Sequence, residues 1–91
     1  MFIIVSYDIT DDRRRNRIST ILGNYGNRAQ FSVFECDIEK AQLEKLKKNI
    51  DKVIDYKEDS VRFYCMCESC YSKIITWGKK PLAKIPGYYL I

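Results

Sequence analysis

The 91-residue sequence contains no histidine. This absence excludes mechanisms that need an imidazole, such as Ser-His-Asp triads, histidine-based RNA cleavage and histidine zinc sites. Long apolar runs are also absent: the run at residues 2–5 is far too short to cross a bilayer, and no basic-then-apolar leader precedes it. We therefore expect a cytoplasmic protein with no membrane partner, whose acid–base or metal chemistry uses carboxylates, tyrosine, lysine, cysteine or water.

Glycine and proline are scarce, with four and two copies, and only residues 78–87 are rich in them. There is no internal repeat, no linker, no P-loop and no G-x-G-x-x-G motif, so nothing indicates an organic cofactor. The length predicts a single domain over residues 1–91. The net charge of +4 arises in the second half of the chain and suggests an anionic partner.

Apolar spacing predicts the first half of the fold. Residues 2–7 (FIIVSY) are almost wholly apolar, which indicates a strand buried on both faces. A helix follows the capping residues 10–12 and is expected to end with Gly26 in a left-handed cap. Residues 28–38 are extended but long, and a bend or bulge near residues 30–32 would divide them into two short strands.

The second half adds a helix over residues 39–54 and strands over residues 61–67 and 73–77. The resulting order predicts a ferredoxin-like α+β sandwich, βαββαβ, with an extra C-terminal strand. The extra strand and the small core favour a homodimer in which sheet edges pair. We expect the tail at residues 79–91 to pack on the partner protomer.

Asp8 is the most informative single residue. It follows the buried strand directly, so its carboxylate is expected at the rim of the sheet on a rigid element. Mg²⁺ binds oxygen ligands and keeps several waters. A single Asp8 would be a poor Mg²⁺ site, but two copies of Asp8 across a dimer axis would form a credible one. A turn or cap aspartate is the alternative. Asp11 and Asp12 are either competing ligands or acids that stabilise the helix N-terminus.

Four arginines in five residues follow these acids. Guanidinium binds phosphate through paired N–H donors and stays charged, so the cluster predicts contacts with nucleic acid. The alternative is a solvated helix face paired with the neighbouring acids. With one arginine from the next extended segment, the candidate phosphate-binding residues are Arg13, Arg14, Arg15, Arg17 and Arg28.

Besides Arg28, three residues are candidates for the same rim: Tyr7, Ser32 and Phe34. If the second extended segment pairs with the first strand, some of Tyr7, Arg28, Ser32 and Phe34 converge near Asp8. For Phe34 and Tyr7 the alternative is packing in the core.

The four cysteines are Cys36, Cys65, Cys67 and Cys70, the last three in a C-x-C-x-x-C pattern. A four-thiolate zinc site is conceivable, but such sites normally use paired C-x-x-C knuckles. Reduced thiols are the favoured interpretation.

Three motifs in order resemble the CRISPR-associated protein 2 (Cas2) family: IVSYDITDDRRRNR at residues 4–17, RAQFSVFE at 28–35 and DSVRFY at 59–64. The spacing fits across residues 2–78. The resemblance implies a ferredoxin-like homodimer whose C-terminal strands extend the partner's sheet. It also implies a role with the Cas1 integrase in spacer acquisition for antiviral defence. Some members are Mg²⁺-dependent endonucleases on single-stranded RNA or double-stranded DNA, and others act without cleavage.

The resemblance also implies site residues. Asp8 matches the metal-binding aspartate, one from each protomer, and Ser32 lies within the second motif. Positions implicated in nuclease activity match Tyr7, Arg15, Arg17, Arg28 and Phe34. We therefore expect a Mg²⁺-dependent endonuclease. The alternative is a non-catalytic dimeric scaffold that binds DNA within the integrase complex.

Overall fold

The computed structural model describes residues 1–73 and 75. In chain order the elements are β1 (Phe2–Asp8), α1 (Asp12–Gly23), β2 (Asn27–Gln30), β3 (Val33–Asp37), α2 (Lys40–Asp51), β4 (Ser60–Met66) and α3 (Glu68–Ser72). The strands form one sheet in the order β2-β3-β1-β4, and each neighbouring pair is antiparallel. This arrangement confirms the ferredoxin-like α+β fold predicted from the sequence.

The core lies between one face of the sheet and the helices α1 and α2. Successive residues of a strand point to opposite faces, and the odd-numbered residues of β1 are the buried ones on this side. They pack against the apolar stripes of the two helices. The central members are Ile3, Val5, Tyr7, Ile18, Leu22, Leu43, Leu46 and Ile50. No helix in the described part of the chain has the length and apolar composition needed to span a bilayer.

The other side of the sheet, which we term the open face, carries Ile4, Ser6 and Asp8 of β1. The register places Arg62 opposite Ser6 and Tyr64 opposite Ile4. None of these five side chains is buried, because α1 and α2 both cover the opposite side.

One end of this second side is nevertheless covered. Tyr71 of α3 packs edge-on against Phe2, with ring centroids 4.6 Å apart, and both residues are buried. The α3 turn is therefore attached to the start of β1, while Asp8 lies at its far end.

The side-chain cap of α1 confirms the prediction, whereas the capping box of α2 was not predicted. The Asp11 side chain accepts a hydrogen bond from the Arg14 N–H at 2.9 Å, and the Gln42 side chain accepts one from the Glu39 N–H at 2.9 Å. The helix α2 ends at Asp51, three residues earlier than predicted. The following turn keeps Val53 and Ile54 half-buried against the core, which explains their place in the helical pattern.

The predicted division of the second extended segment is confirmed. The ladder between β2 and β3 shifts register between Arg28 and Gln30, as at a β-bulge, and the chain turns at Phe31 and Ser32.

The predicted role of Gly26 is wrong. The C-cap of α1 is Asn24 in a right-handed conformation, and Gly26 has no left-handed φ. A Cβ on Gly26 would lie 2.3 Å from the Glu35 backbone oxygen and 2.6 Å from Cys36 Sγ. Glycine is required because β3 passes too close for any side chain.

The chain after β4 also differs from the prediction. The sequence predicts a strand up to Cys67, but Cys67 is the N-cap of the short helix α3. Burial of Tyr71 against Phe2 favours this turn over continued strand. Lys73, the first residue of the predicted strand at 73–77, is the helical C-cap of α3. Residues 74, 76 and 77 lie outside the described residues, as does the tail at 79–91.

Candidate nucleic-acid and metal site

Asp8 presents an exposed carboxylate at the end of a buried strand. It lies opposite Ser60 of β4, on the open face. Within residues 1–73 and 75, no side chain or backbone group forms a hydrogen bond or ion pair with the carboxylate. The two oxygens are therefore accessible to a cation, and the role of Asp8 as a metal ligand stays a prediction.

Tyr7 joins the β2–β3 turn to the end of β1. Its backbone N–H donates to the Ser32 carbonyl at 3.1 Å, and its hydroxyl donates to the Phe31 carbonyl at 3.2 Å. The ring itself is buried. Tyr7 therefore faces the core side and fixes the turn, while the adjacent Asp8 faces the open side.

Arg28 is held against two aromatic rings. Its guanidinium carbon lies 5.3 Å from the centroid of Phe34 and 5.8 Å from that of Phe31. Behind Phe34 is Tyr7, with ring centroids 6.3 Å apart in a stacked arrangement. The guanidinium also donates to the Ser19 hydroxyl of α1. The structure therefore brings Tyr7, Ser32, Phe34 and Arg28 together, with Phe34 and Tyr7 also packed in the core.

The arginines of α1 occupy different environments. Arg15 donates to the Ile9 carbonyl at 3.2 Å and pairs with Asp12, so it stays near the end of β1. Arg13 and Arg17 are exposed, and neither pairs with an acid in the described part of the chain. Asp12 lies in the first turn of α1, which agrees with its predicted role as an acid that stabilises the helix N-terminus.

Arg14 is the exception among the four. Its Nε lies 2.8 Å from Asp59 Oδ2, its Nη2 lies 3.2 Å from Asp59 Oδ1, and Nη2 also reaches Glu58 at 3.1 Å. These hydrogen bonds lower the pKa of Asp59 and raise that of Arg14. The ion pair gives Arg14 a role in joining α1 to the loop before β4. Its predicted contact with nucleic acid stays a prediction.

Two residues near the site are not among those predicted from the sequence. Phe31 is 82% exposed at the tip of the β2–β3 turn, beside Arg28. Arg62 is exposed on the open face, two register pairs along β4 from Ser60, the residue opposite Asp8. Phe31 could have been recognised from the sequence, because it lies at the predicted bulge and residues at turn tips are seldom buried. Arg62 becomes recognisable only once the register of β4 against β1 is known.

The described residues of one chain do not form a complete metal site. Among the described residues, no three cysteine, aspartate or glutamate side chains are grouped so that they could hold an ion. The Asp8 carboxylate has the hard oxygen donors that Mg²⁺ prefers, but it needs ligands from a second chain, a phosphate or water. The same finding gives no support to a zinc site at the cysteines.

Comparisons with known proteins agree with the motifs. The family model for CRISPR associated protein Cas2 matches residues 1–74. A relative from Synechocystis, named CRISPR-associated endoribonuclease Cas2 3, is 40% identical over the full length of both chains.

Solved structures of similar fold are also found. Streptococcus pyogenes Cas2 has a TM-score of 0.75 at 31% identity, covering 86% of this chain and all of that one. A chain from a partial Cas6-RT-Cas1–Cas2 complex has a TM-score of 0.78 at 24% identity, covering 99% of this chain and 98% of that one, and shows the fold alone. With the family model matching residues 1–74 and a full-length relative at 40% identity, this chain belongs to the CRISPR-associated protein Cas2 family.

Proposed function

We propose that the chain is a Mg²⁺-dependent endonuclease that acts in CRISPR adaptation as a homodimer, together with the Cas1 integrase. The observation that carries the proposal is Asp8, an exposed strand-end carboxylate without a described partner, followed in sequence by an arginine-rich helix. The name of the Synechocystis relative supports endonuclease activity on RNA. The substrate classes we propose are single-stranded RNA and double-stranded DNA.

The dimer is proposed to form through the open face. Each chain has one Asp8 there, so two chains related by a twofold axis would bring two carboxylates together. Ile4 and the half-exposed Tyr64 provide apolar surface beside it for the contact. Two facing carboxylates repel each other, and a divalent cation between them removes that repulsion.

Arginines are the proposed phosphate-binding groups. When bound by Asp8, Mg²⁺ would polarise the scissile phosphate and lower the pKa of a bound water. Arg15, Arg17 and Arg28 offset the negative charge that develops on the phosphate during hydrolysis. Arg13 contributes to binding the nucleic-acid backbone, and Arg14 contributes only if its ion pair with Asp59 opens.

The aromatic residues of the site act mainly by positioning. Phe34 and Tyr7 support the Arg28 guanidinium from the core side, and Tyr7 fixes the turn through the carbonyls of Phe31 and Ser32. The absence of histidine is consistent with this mechanism, because a metal-bound water needs no imidazole base.

The test compares wild type with Asp8→Asn and Asp37→Asn. Asp37 is a matched control because it ends β3 opposite Phe2, at the far end of the sheet from Asp8. Each protein is incubated with labelled single-stranded RNA and duplex DNA, with Mg²⁺ or with EDTA. We expect cleavage by wild type and Asp37→Asn in Mg²⁺ only, and none by Asp8→Asn. Equal cleavage in EDTA and Mg²⁺ would contradict the mechanism.

A non-catalytic scaffold is the second candidate, favoured by the exposed cations Arg13 and Arg17. In this case the dimer holds duplex DNA while a partner performs the chemistry. Binding should weaken by about 0.9 log units per log unit of salt for each neutralised phosphate, with little sequence preference. The scaffold is supported if Asp8→Asn and wild type bind duplex equally and neither cuts. Binding that does not change with salt argues against it.

A further inference from the structure

A second group of reactive side chains lies at the opposite end of the sheet from Asp8. β1 runs from Phe2 to Asp8, which at about 3.3 Å per residue separates the two ends by roughly 20 Å. Near the Phe2 end, β4 leads into α3 through Cys65, Cys67 and Cys70, which are all exposed free thiols. This cluster has no part in the proposed nuclease site.

We propose that Cys67 and Cys70 are a redox-active dithiol that forms a reversible disulfide with small-molecule disulfides. Cys67 is the N-cap of α3 and Cys70 is its third residue. Cβ atoms three residues apart on a helical turn lie about 5–6 Å apart, whereas a disulfide needs about 3.5–4.5 Å, so the pair must approach by about 1–2 Å. Cys67 precedes the helix and has an extended backbone, so its side chain can make this approach. Tyr71, the next residue, attaches this turn to Phe2, so the pair is carried on a fixed element.

Hydrogen bonds make the two sulfurs unequal. Cys67 Sγ lies 3.2 Å from the Ser69 hydroxyl, and the Cys70 thiol is a second donor to it. These donors lower the pKa of Cys67 to about 7 and raise that of Cys70. Burial raises the pKa of Cys36, on β3, to about 11. Cys67 is therefore the attacking sulfur, Cys70 is the resolving one, and Cys36 is an unreactive internal reference.

The exchange has two balanced steps. The Cys67 thiolate attacks one sulfur of glutathione disulfide, forming a mixed disulfide and releasing one glutathione thiolate. Cys70 then loses its proton to solvent, and its thiolate attacks the Cys67 sulfur and releases the second glutathione. The protein loses two electrons to the glutathione pair, and a dithiol reductant reverses the reaction.

The test uses the full-length chain and three variants. Cys67→Ser and Cys70→Ser remove one sulfur each, and Cys65→Ser is the matched control on the adjacent strand. Serine is a preferred N-cap residue, so Cys67→Ser is expected to keep α3 folded. The proteins are equilibrated at pH 7 over graded ratios of reduced to oxidised glutathione, alkylated with iodoacetamide and analysed by peptide mass spectrometry.

We expect a Cys67–Cys70 disulfide in wild type and in Cys65→Ser. The Cys70→Ser variant should instead accumulate glutathione on Cys67, because the resolving thiol is missing. Alkylation of Cys67 at pH 7 should be about fivefold faster than that of an ordinary thiol with a pKa of 9.0, after allowing for its weaker nucleophilicity. The proposal is overturned if no disulfide forms at any glutathione ratio, or if Cys65 is one of the paired residues. It is also overturned if Cys70 in the Cys67→Ser variant takes up glutathione as fast as Cys67 does in the Cys70→Ser variant.

Discussion

Replacing Asp59 by asparagine tests whether the ion pair with Arg14 stabilises the fold. The Asp59 side chain is fully buried and accepts three N–H groups, two from Arg14 at 2.8 and 3.2 Å and one from the Asp55 backbone at 2.8 Å. Asparagine keeps the shape, but it has one acceptor oxygen, and its NH₂ group opposes at least one of these donors.

The expected loss follows from those contacts. Hydrogen bonds to a charged group contribute about 1.5–3 kcal/mol each, but Arg14 keeps 23% of its side chain exposed and regains water when the pair is broken. We expect the free energy of unfolding to fall by about 2 kcal/mol. For a domain of this size, that corresponds to a melting temperature lower by about 8–16 °C.

The control is Glu58→Gln. Glu58 contacts the same guanidinium at 3.1 Å, but its side chain is 61% exposed. Exposed ion pairs contribute little, so we expect a change below about 0.5 kcal/mol. Urea unfolding at one fixed protein concentration, at pH 7, measures both variants. A loss of stability in Asp59→Asn no larger than that in Glu58→Gln would show that the buried Arg14–Asp59 ion pair does not stabilise the fold.

The same ion pair predicts a dependence on pH. Arg14 lowers the pKa of Asp59 below its ordinary value of 3.8, so the stabilisation is complete at neutral pH. It is lost as the pH falls below about 3.8 towards the lowered pKa. The stability difference between wild type and Asp59→Asn should therefore shrink on acidification. A difference that stays constant down to pH 2 would contradict this assignment.

Three further stability predictions come from particular contacts. Gly26→Ala should destabilise the fold by about 2–3 kcal/mol, because its Cβ would overlap the Glu35 backbone oxygen. Gly23→Ala, where a Cβ meets nothing within 4 Å, should instead stabilise α1 by up to about 1 kcal/mol, and equal urea midpoints for these two variants would be inconsistent with the packing. Tyr7→Phe removes the hydroxyl bond to the Phe31 carbonyl and should lower stability by about 1 kcal/mol. Hydrogen exchange in the β2–β3 turn should then rise, and unchanged exchange would argue against the hydroxyl fixing the turn.

The sequence predicts the sheet and the two main helices well because their signals are local. The apolar run of β1, the Asp11 cap and the stripe of Leu43, Leu46 and Ile50 each specify an element without information from the rest of the chain. The bulge before β3 is equally local, since an uninterrupted extended segment was too long for one strand.

The errors arise where a distant contact decides the conformation. Gly26 looks like a helix cap, but its requirement comes from β3 passing within van der Waals distance. The turn at α3 depends on the packing of Tyr71 against Phe2, which lies 69 positions earlier in the sequence. For the site, Asp8 and the arginine cluster are visible as motifs, whereas the pairing of Arg14 with Asp59 requires the tertiary structure.

We propose that two Asp8 carboxylates, one from each chain, hold one Mg²⁺. The most direct measurement is the stoichiometry of divalent ion binding, with Mn²⁺ as the spectroscopic probe and Mg²⁺ as the competitor. We expect one Mn²⁺ ion per two chains in wild type and in Asp37→Asn, displaced by Mg²⁺, and no such ion in Asp8→Asn. One ion per chain, or an unchanged stoichiometry in Asp8→Asn, would contradict it.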